Sequence, residues 1–205
     1  MIILGAGGHA KEVAGVLAEL GPLEELCFYD DVTPHQKAVL YDQFRILTTR
    51  AEAEEVLKRD PRVILGVGKP LLRQRLATEF RLAGGQLFSV VSPFARIGPF
   101  GVSLGEGLNI MTGAVITQDI VIGEGTLVHI NATIHHDCSI GNYCELSPGC
   151  HILGKARIGD LTSIGSGAVI LPGVSVGREV VVGAGAVVTR NIPDGVTVKG
   201  VPAKV

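Results

Sequence analysis

Residues 128 to 152 read VHINATIHHDCSIGNYCELSPGCHI, with an aliphatic residue at every sixth position. The same phase continues in both directions without interruption, from Leu104 to Val188. Amphipathic helices repeat their apolar face about every 3.6 residues and half-buried strands about every 2, so a strict period of six fits neither. Such a period indicates a repeating architecture in which each short strand contributes one inward side chain. The column comprises Leu104, Ile110, Ile116, Ile122, Val128, Ile134, Ile140, Leu146, Ile152, Ile158, Ile164, Ile170, Val176, Val182 and Val188.

A second, longer period is carried by glycines spaced eighteen residues apart, which is three of the six-residue units. They are Gly105, Gly123, Gly141, Gly159 and Gly177. Each coil is therefore expected to be triangular, with three short strands and glycine at one recurrent corner. Equivalent residues of stacked coils should lie about 4.8 Å apart, the usual spacing between strands. The sequence predicts a left-handed parallel β-helix from about residue 91 to residue 188, with a one-residue bulge between Ile97 and Leu104.

The positions two residues before the column are mostly small, as the narrow part of a triangular core requires. Three of them are Cys138, Cys144 and Cys150, whose spacing of six residues is not a usual spacing for zinc ligands. We interpret these cysteines as reduced core residues.

The first 90 residues have a different pattern, in which short apolar runs alternate with amphipathic segments. We expect strands at 1–4, 26–29, 62–66 and 87–91, and helices at 9–20, 50–58 and 70–83. This order predicts half of a Rossmann-like parallel α/β sheet. The predicted fold is therefore α/β plus all-β, with one domain at 1–90 and a β-helix domain with a C-terminal tail at 91–205.

The turn after the first strand contains Gly5, Gly7 and Gly8. Glycines there let backbone N–H groups approach a phosphate at the N-terminus of a helix. Asp30 and Asp31 follow the second strand, where an open α/β sheet places a carboxylate at the mouth of its site. The alternatives are an NAD fingerprint or a tight turn beside an acidic loop. Because only about 90 residues are available, a nucleotide sugar is favoured over a full dinucleotide.

Five segments together resemble the PglD/NeuD-type sugar acetyltransferases, and the repeat resembles the bacterial hexapeptide-repeat transferases. The segments are GAGGHAKEV at 5–13, the acidic pair DD at 30–31, VVSPFARIG at 90–98, NATIHHDCSIG at 131–141 and VKGVPAKV at 198–205. The resemblance spans the whole chain. It implies acetyl-CoA-dependent acetylation of the amino group of a nucleotide-linked amino-dideoxy sugar in bacterial surface-glycan biosynthesis. It also implies a cytoplasmic homotrimer with active sites at subunit interfaces.

Two alternatives stay open at this point. One is an O-acetyltransferase for sialic acid or another sugar hydroxyl, and the other is an inactive trimer that only binds a nucleotide sugar.

Acyl transfer to an amine requires a base for the amine proton and donors for the oxyanion that forms on the thioester. The resemblance assigns the base to His136 rather than His135, and it assigns Asp137 to orienting the imidazole ring. Gly154 lies eighteen residues after His136, one coil along, and the resemblance assigns its N–H to the thioester oxygen. Some relatives carry a second active-site histidine nine residues after the base, where this sequence has Glu145.

The remaining predicted contacts are divided between the two substrates. His9 and Asn131 are predicted to contact the acceptor. The residues predicted to contact acetyl-CoA are Gly165, Gly167, Ala168, Gly183, Ala184 and Lys204.

Composition argues against other classes of protein. The formal net charge is -2 with acidic and basic residues intermixed, so no basic stripe predicts nucleic-acid binding. No segment has the sequence of a signal peptide or a membrane span. A metal hydrolase of the γ-carbonic anhydrase type would require an H-x4-H pair, which the sequence lacks, and we expect no metal.

Overall fold

The chain folds as an α/β layer followed by a left-handed parallel β-helix, as predicted. A computed structural model describes residues 1–34 and 38–205. The helices are α1 (Gly8–Leu20), α2 (Arg50–Leu57) and α3 (Pro70–Leu82). The first sheet contains β1 (Ile2–Leu4), β2 (Cys27–Tyr29), β3 (Val39–Leu40), β4 (Phe44–Leu47), β5 (Arg62–Leu65) and β6 (Gln86–Leu87).

The first sheet has the strand order β3-β4-β2-β1-β5-β6. All of its pairs are parallel except β3 with β4, which form an antiparallel edge. The sequence pattern did not predict β3 or β4. The helix α2 begins at a reciprocal cap in which Thr49 and Glu52 each accept a hydrogen bond from the other's backbone N–H.

The β-helix is a triangular prism whose three faces are parallel sheets. The first face consists of β7 (Val90–Val91), β10 (Asn109–Ile110), β13 (Leu127–Val128), β16 (Glu145–Leu146), β19 (Ser163–Ile164), β22 (Val181–Val182) and β24 (Thr197–Val198). The second face consists of β8 (Arg96–Ile97), β11 (Val115–Ile116), β14 (Thr133–Ile134), β17 (His151–Ile152), β20 (Val169–Ile170) and β23 (Val187–Val188). The third face consists of β9 (Ser103–Leu104), β12 (Val121–Ile122), β15 (Ser139–Ile140), β18 (Arg157–Ile158) and β21 (Ser175–Val176).

The predicted column of aliphatic side chains forms the interior of the prism. From Ile110 to Val188 every member is at most 4% exposed. Leu104 is the exception at 37%, because β9 pairs only with β12 and the first coil has no coil stacked on its outer side. The bulge is confirmed, since Ile97 pairs with a residue nineteen positions on and Leu104 with one eighteen positions on.

The corner glycines are required because adjacent coils approach closely. A Cβ atom on Gly141 would lie 2.6 Å from the backbone nitrogen of Asp160 on the next coil, and one on Gly159 would lie 2.6 Å from the carbonyl carbon of Gly177. Such distances are shorter than side chains tolerate, so this corner excludes every residue with a side chain. The predicted core cysteines Cys138, Cys144 and Cys150 are buried free thiols.

The predicted strand at 87–91 is instead two strands in two different sheets. Phe88 N–H donates to Val63 O in the first sheet, whereas Val90 N–H donates to Leu108 O in the β-helix. Ser89 lies between them, and its hydroxyl accepts the N–H of Leu108. The backbone changes hydrogen-bond partner at this residue, and no feature of the apolar run indicates the change.

The α/β layer packs on the outer side of the first face. On one side of the sheet, α1 packs with Met111 and Leu127 of the β-helix. On the other side, α2 and α3 share a core with Tyr143 and Leu161. Both cores therefore continue from the α/β layer into the β-helix.

Arg73 of α3 joins the two parts of the chain from within. It is 0% exposed, and its guanidinium donates to Gly125 O at 2.8 Å, Leu65 O at 3.1 Å, Val67 O at 2.7 Å and Asn109 Oδ1 at 3.1 Å. A buried charge requires such complete hydrogen bonding, because each unpaired polar group would cost free energy. The burial of Arg73 was not predicted from the sequence. Helical spacing places Arg73 on the same face of α3 as the buried residues Leu76, Ala77 and Phe80. That spacing is the sequence signal that Arg73 is buried.

Replacing Arg73 with Met should lower the free energy of unfolding by about 3 kcal/mol or more, because four acceptors lose the guanidinium and, within the described residues, only Leu65 O keeps another donor, the side-chain amide of Asn109. Urea denaturation followed by circular dichroism would measure the change. Arg75→Met is the matched control, since Arg75 lies on the same helix with its side chain 62% exposed. Equal stability of the two variants would contradict the role given to Arg73.

Candidate functional site

His136 projects from the corner between the second and third faces. It follows β14 and precedes β15, and its side chain is 59% exposed. Its Nδ1 lies 2.7 Å from Asp137 Oδ2. Because an ionised carboxylate only accepts hydrogen bonds, this contact fixes the proton on Nδ1 and leaves the lone pair on Nε2. Asp137 has a positive φ of 61°, as a tight corner requires.

Gly154 occupies the same corner one coil further along. A Cβ atom there would lie 2.7 Å from both Cε1 and Nε2 of His136, so the imidazole ring rests directly over the glycine. Within the described part of the chain, Gly154 N–H has no hydrogen-bond acceptor. The structure thus brings together His136, Asp137 and Gly154.

The residues predicted to contact acetyl-CoA lie at a different corner. Gly165 and Gly167 follow β19, and Gly183 and Ala184 follow β22, so all four lie between the first and second faces. Lys204 is nearby, because its backbone pairs with Lys199, whose Cβ lies 3.1 Å from a Cβ built on Gly183.

Ala168 does not share this exposed position. It is 0% exposed and belongs to the interior of the prism, so its side chain faces away from any surface ligand. The glycine-rich corner and the His136 corner are separated by the whole second face.

The α/β layer contains a pocket of about 260 Å³ at the carboxyl ends of its strands. Its walls include the predicted residues Gly5, Asp30 and Asp31, together with Val67 and Arg75. This is the edge at which open α/β sheets bind ligands.

The two adjacent aspartates of the pocket have different partners. Asp30 holds the loop, because its Oδ2 accepts the N–H of Ala6 and its Oδ1 accepts the N–H groups of Val32 and Thr33. Asp31 Oδ2 accepts the hydroxyl of Tyr29 at 2.9 Å. Burial, together with this hydrogen bond, raises the pKa of Tyr29 to about 12, so Tyr29 remains a donor at neutral pH.

The other predicted acceptor contacts are more dispersed. Gly7 caps α1 and is followed by Gly8, and a Cβ on either glycine would meet open space. Asn131 lies at the corner between the first and second faces with a positive φ of 56°, and its amide oxygen lies over Gly113.

His9 lies in a polar cluster between α1 and the β-helix that the sequence analysis did not predict. Glu12 Oε2 lies 3.6 Å from His9 Nδ1 and 3.3 Å from His129 Nε2. The two imidazole rings are 5.5 Å apart between centroids. The sequence signal for this cluster is that Glu12 follows His9 by three positions in a helix, so the two side chains lie on the same face. No comparable signal marked His129.

Burial determines the charge of the histidines in this cluster. The His9 side chain is only 10% exposed, and burial, aided by the charge of Arg73, lowers the pKa of His9 to about 3. Burial also lowers the pKa of His129. His9 is therefore neutral at physiological pH.

Comparison with known proteins supports the resemblance found in the sequence. The PglD N-terminal domain family matches residues 1–80, and the bacterial transferase hexapeptide family, with six repeats, matches residues 119–154 and 155–190. No curated protein sequence matches the chain significantly.

Several solved structures match nearly the whole chain. A variant of perosamine N-acetyltransferase from Caulobacter crescentus, in complex with CoA and GDP-perosamine, is 32% identical with a TM-score of 0.90, and the match covers 99% of this chain and 94% of that one. The chain belongs to the PglD-type sugar acetyltransferases.

Two further structures extend the comparison. The acetyltransferase domain of PglB from Neisseria gonorrhoeae, in complex with acetyl coenzyme A, is 34% identical with a TM-score of 0.88, and the match covers 99% of this chain and 97% of that one. WeeI from Acinetobacter baumannii is 29% identical with a TM-score of 0.89, with the same coverage. As a PglD-type protein built on the hexapeptide-transferase scaffold, the chain is an acyltransferase.

One finding concerns membranes. Among residues 1–34 and 38–205, no helix of this PglD-type acetyltransferase has the length and apolar character needed to cross a bilayer.

The low pKa of His9 predicts a specific dependence of stability on pH. Unfolded His9 titrates near its ordinary pKa of 6.5 while folded His9 titrates near 3, so below pH 6.5 the unfolded state binds a proton that the folded state does not. Stability should therefore fall as the pH drops from 6.5 towards 3, with about 2 kcal/mol lost by pH 5.

Urea denaturation of the wild type and of His9→Asn at pH 7 and pH 5 would test this. The variant should lose less stability than the wild type when the pH is lowered. Some dependence of its stability on pH should remain, because the pKa of His129 is also lowered. The same loss in both proteins would show that His9 does not carry the effect.

Proposed function

We propose that the chain transfers the acetyl group of acetyl-CoA to the amino group of a nucleotide-linked amino sugar. The observation that carries this proposal is the His136 ring, held by Asp137 and resting on Gly154, in a family whose solved members bind acetyl coenzyme A and GDP-perosamine. The α/β pocket supplies a place for the nucleotide, and the glycine-rich corner of the β-helix supplies a flat surface for CoA.

The proposed reaction is direct attack. The amine nitrogen forms a bond to the thioester carbonyl carbon while His136 Nε2 removes an amine proton. Gly154 N–H donates to the oxyanion of the tetrahedral intermediate. The carbon–sulfur bond then breaks, and the leaving thiolate of CoA takes the proton from the His136 imidazolium. A positioned base typically contributes about 10² to 10⁴ in rate and one oxyanion donor about 10² to 10³.

Asp137 acts through His136 in this scheme. Its carboxylate holds Nδ1–H at 2.7 Å, which orients the ring and stabilises the imidazolium that forms during the reaction. An Asp side chain is long enough for this role, because His136 and Asp137 are adjacent at a tight corner.

The domains divide the binding work in this proposal. Residues 1–90 hold the nucleotide sugar, with its phosphates towards Gly5, Gly7 and Gly8. Residues 91–205 hold acetyl-CoA, with Lys204 as a point charge for its phosphates.

We further propose that the enzyme acts as a homotrimer with sites between subunits. Within one chain the His136 corner and the glycine-rich corner are separated by the second face, and we infer that one CoA molecule is bound between two copies. Packing of a second copy against that face would bring one corner of each type together. Sedimentation analysis would test the trimer directly.

The proposed reaction can be tested by thiol release from acetyl-CoA. The purified protein would be offered GDP-, UDP-, dTDP- and CMP-linked sugars, each with a 4-amino group or with a hydroxyl in its place. Thiol release with an amino sugar, and a product carrying one acetyl group on nitrogen, is the expected outcome. Turnover of hydroxyl acceptors alone would indicate O-acetylation, and a folded protein with no turnover would contradict the proposal.

The contact between His136 and Gly154 predicts non-additive variants. Gly154 lacks a positive φ, so Gly154→Ala introduces no backbone strain and its methyl group meets only the movable ring of His136. We expect Gly154→Ala to lower kcat/KM by about 10²-fold through displacement of the base. We expect His136→Ala to turn over very slowly but still to bind acetyl-CoA. Adding Gly154→Ala to that variant should lower kcat/KM little further.

Gly15→Ala is the matched control, because a Cβ at Gly15 meets nothing within 4 Å and should leave turnover unchanged. If the effects of Gly154→Ala and His136→Ala were fully additive, the ring and the glycine would act independently and the proposed geometry would be wrong.

A further inference from the structure

Glu145 lies where the α/β layer ends on the outer side of the first face. Asn109 and Leu127 precede it on that face and are fully buried beneath the α/β layer, whereas Glu145 is only half-buried. A Cβ atom on Gly68 would lie 3.3 Å from Glu145 Oε1, so the loop after β5 forms the roof over this carboxylate. The backbone N–H of Glu145 donates to Thr162 O at 3.0 Å, but within the described residues its carboxylate accepts no hydrogen bond and forms no ion pair.

This position is continuous with the nucleotide pocket. Val67 and Gly5 line the pocket, and Gly68, which follows Val67 directly, covers Glu145. The pocket and the cover over Glu145 therefore share one loop, through the adjacent residues Val67 and Gly68.

His9 provides a second, independent sign of an absent ligand. Its side chain is nine-tenths buried, yet neither Nδ1 nor Nε2 has a hydrogen-bond partner in the structure. A buried imidazole without partners costs free energy unless a ligand supplies them. The charge of Glu145 acts on His129, the neighbour of His9, which places Glu145 and this cluster in one electrostatic environment.

We refer to Glu145 and the cluster of His9, Glu12 and His129 together as the cleft. Their charges select the type of ligand. Glu12 and Glu145 contribute carboxylates, whereas His9 and His129 are kept neutral by burial. The nearby positive charge of Arg73 is fully buried and already donates to four acceptors. The cleft therefore offers acceptors of net negative charge, which fit a cationic donor.

An ammonium group fits better than a metal ion. His9, Glu12 and His129 have ligand atoms within 4.8 Å of one another, as a metal site would need. However, His129 Nδ1 accepts the N–H of Ile130 at 2.9 Å, so the proton of the neutral ring lies on Nε2, the atom that faces Glu12. To bind a metal ion, His129 would need a lone pair on Nε2, and its proton would have to lie on Nδ1 instead.

We propose that Glu145, beneath Gly68, binds the protonated amino group of the acceptor sugar and thereby selects amino sugars over hydroxyl sugars. This inference rests on the proposed function. The bound ammonium releases one proton to solvent, and the resulting amine gives its second proton to His136 of a neighbouring copy in the proposed trimer as the nitrogen–carbon bond forms, because His136 of the same chain lies at the corner opposite the first face. Glu145 is thus a specificity-determining residue.

The test compares Glu145→Gln with the wild type on two matched probes. The first is GDP-perosamine, or the amino sugar of the panel that is turned over fastest. The second is the same nucleotide sugar with a hydroxyl in place of the amino group. Loss of a charge-assisted hydrogen bond should raise KM for the amino sugar about 10-fold or more. The KM for acetyl-CoA should not change, and kcat should change much less than KM.

Binding measured by calorimetry supplies a readout that a purely structural role would not move. The wild type should prefer the amino sugar over its hydroxyl analogue, Glu145→Gln should lose that preference, and both should bind GDP alone equally well. Glu145→Asp should retain part of the preference. Glu24→Gln, at an exposed carboxylate outside the cleft, is the matched control and should behave as the wild type.

The outcomes separate this inference from the proposed function. If the wild type acetylates amino sugars but Glu145→Gln keeps the same KM and the same preference, the ammonium subsite is wrong and the proposed function stands. If the wild type acetylates no amino sugar, the proposed function fails and this inference fails with it. If Glu145→Gln does not fold, Glu145→Asp is compared instead, and a preference for the amino sugar equal to that of the wild type would contradict the ammonium subsite.

Discussion

A single buried guanidinium determines how the two halves of the molecule are arranged. Arg73 reaches from α3 to Leu65 O and Val67 O at the carboxyl end of β5, and to Gly125 O and Asn109 in the β-helix. Burial lowers the pKa of Arg73 to about 9, which still leaves it charged at neutral pH. Because its N–H groups donate to backbone carbonyls of both parts, Arg73 fixes where this edge of the first sheet lies on the prism. The pocket proposed for the nucleotide and the carboxylate of Glu145 both lie at that edge.

The β-helix imposes a complementary constraint on the chemistry. Its coils stack so closely that one position of each corner adopts a positive φ, and that position is held by glycine or by a residue such as Asp137. The same close stacking places the His136 ring against the backbone of the next coil at Gly154. The proposed base and the proposed backbone donor are therefore held at strand spacing without a dedicated loop. The rigidity that keeps the prism together also preorganises the corner.

Much of the fold could be predicted because its determinants are local and repeated. One aliphatic residue in six and one glycine in eighteen are sufficient to define the prism, its corners and the adjacency of His136 and Gly154. The edge strands β3 and β4 were not predicted, because two to four residues of apolar character carry no distinct period. The division of residues 87–91 between two sheets depends on hydrogen bonds at Ser89 that no local pattern records.

The candidate site was predictable in its parts but not in its arrangement. Periodicity gives the corner of each residue, yet the placement of Ala168 in the interior required its burial to be known. The contact of His129 with Glu12 joins segments more than a hundred residues apart, and it depends on how the α/β layer docks. Glu145 could be noted from the sequence only as a departure from relatives. Its unpaired carboxylate became apparent only beneath Gly68.

The eighteen-residue coil has a consequence for how this chain can change length during evolution. Each coil contacts only its neighbours, as in other solenoids. Insertion or deletion of a whole coil beyond Gly154 would keep every corner in phase and leave the base above its glycine. A change of six residues between His136 and Gly154 would instead rotate the glycine by a third of a turn, onto another edge of the prism. Outside such local bulges as the one before Leu104, the scaffold therefore gains or loses whole coils, and the interval from His136 to Gly154 is the one that must stay at eighteen residues.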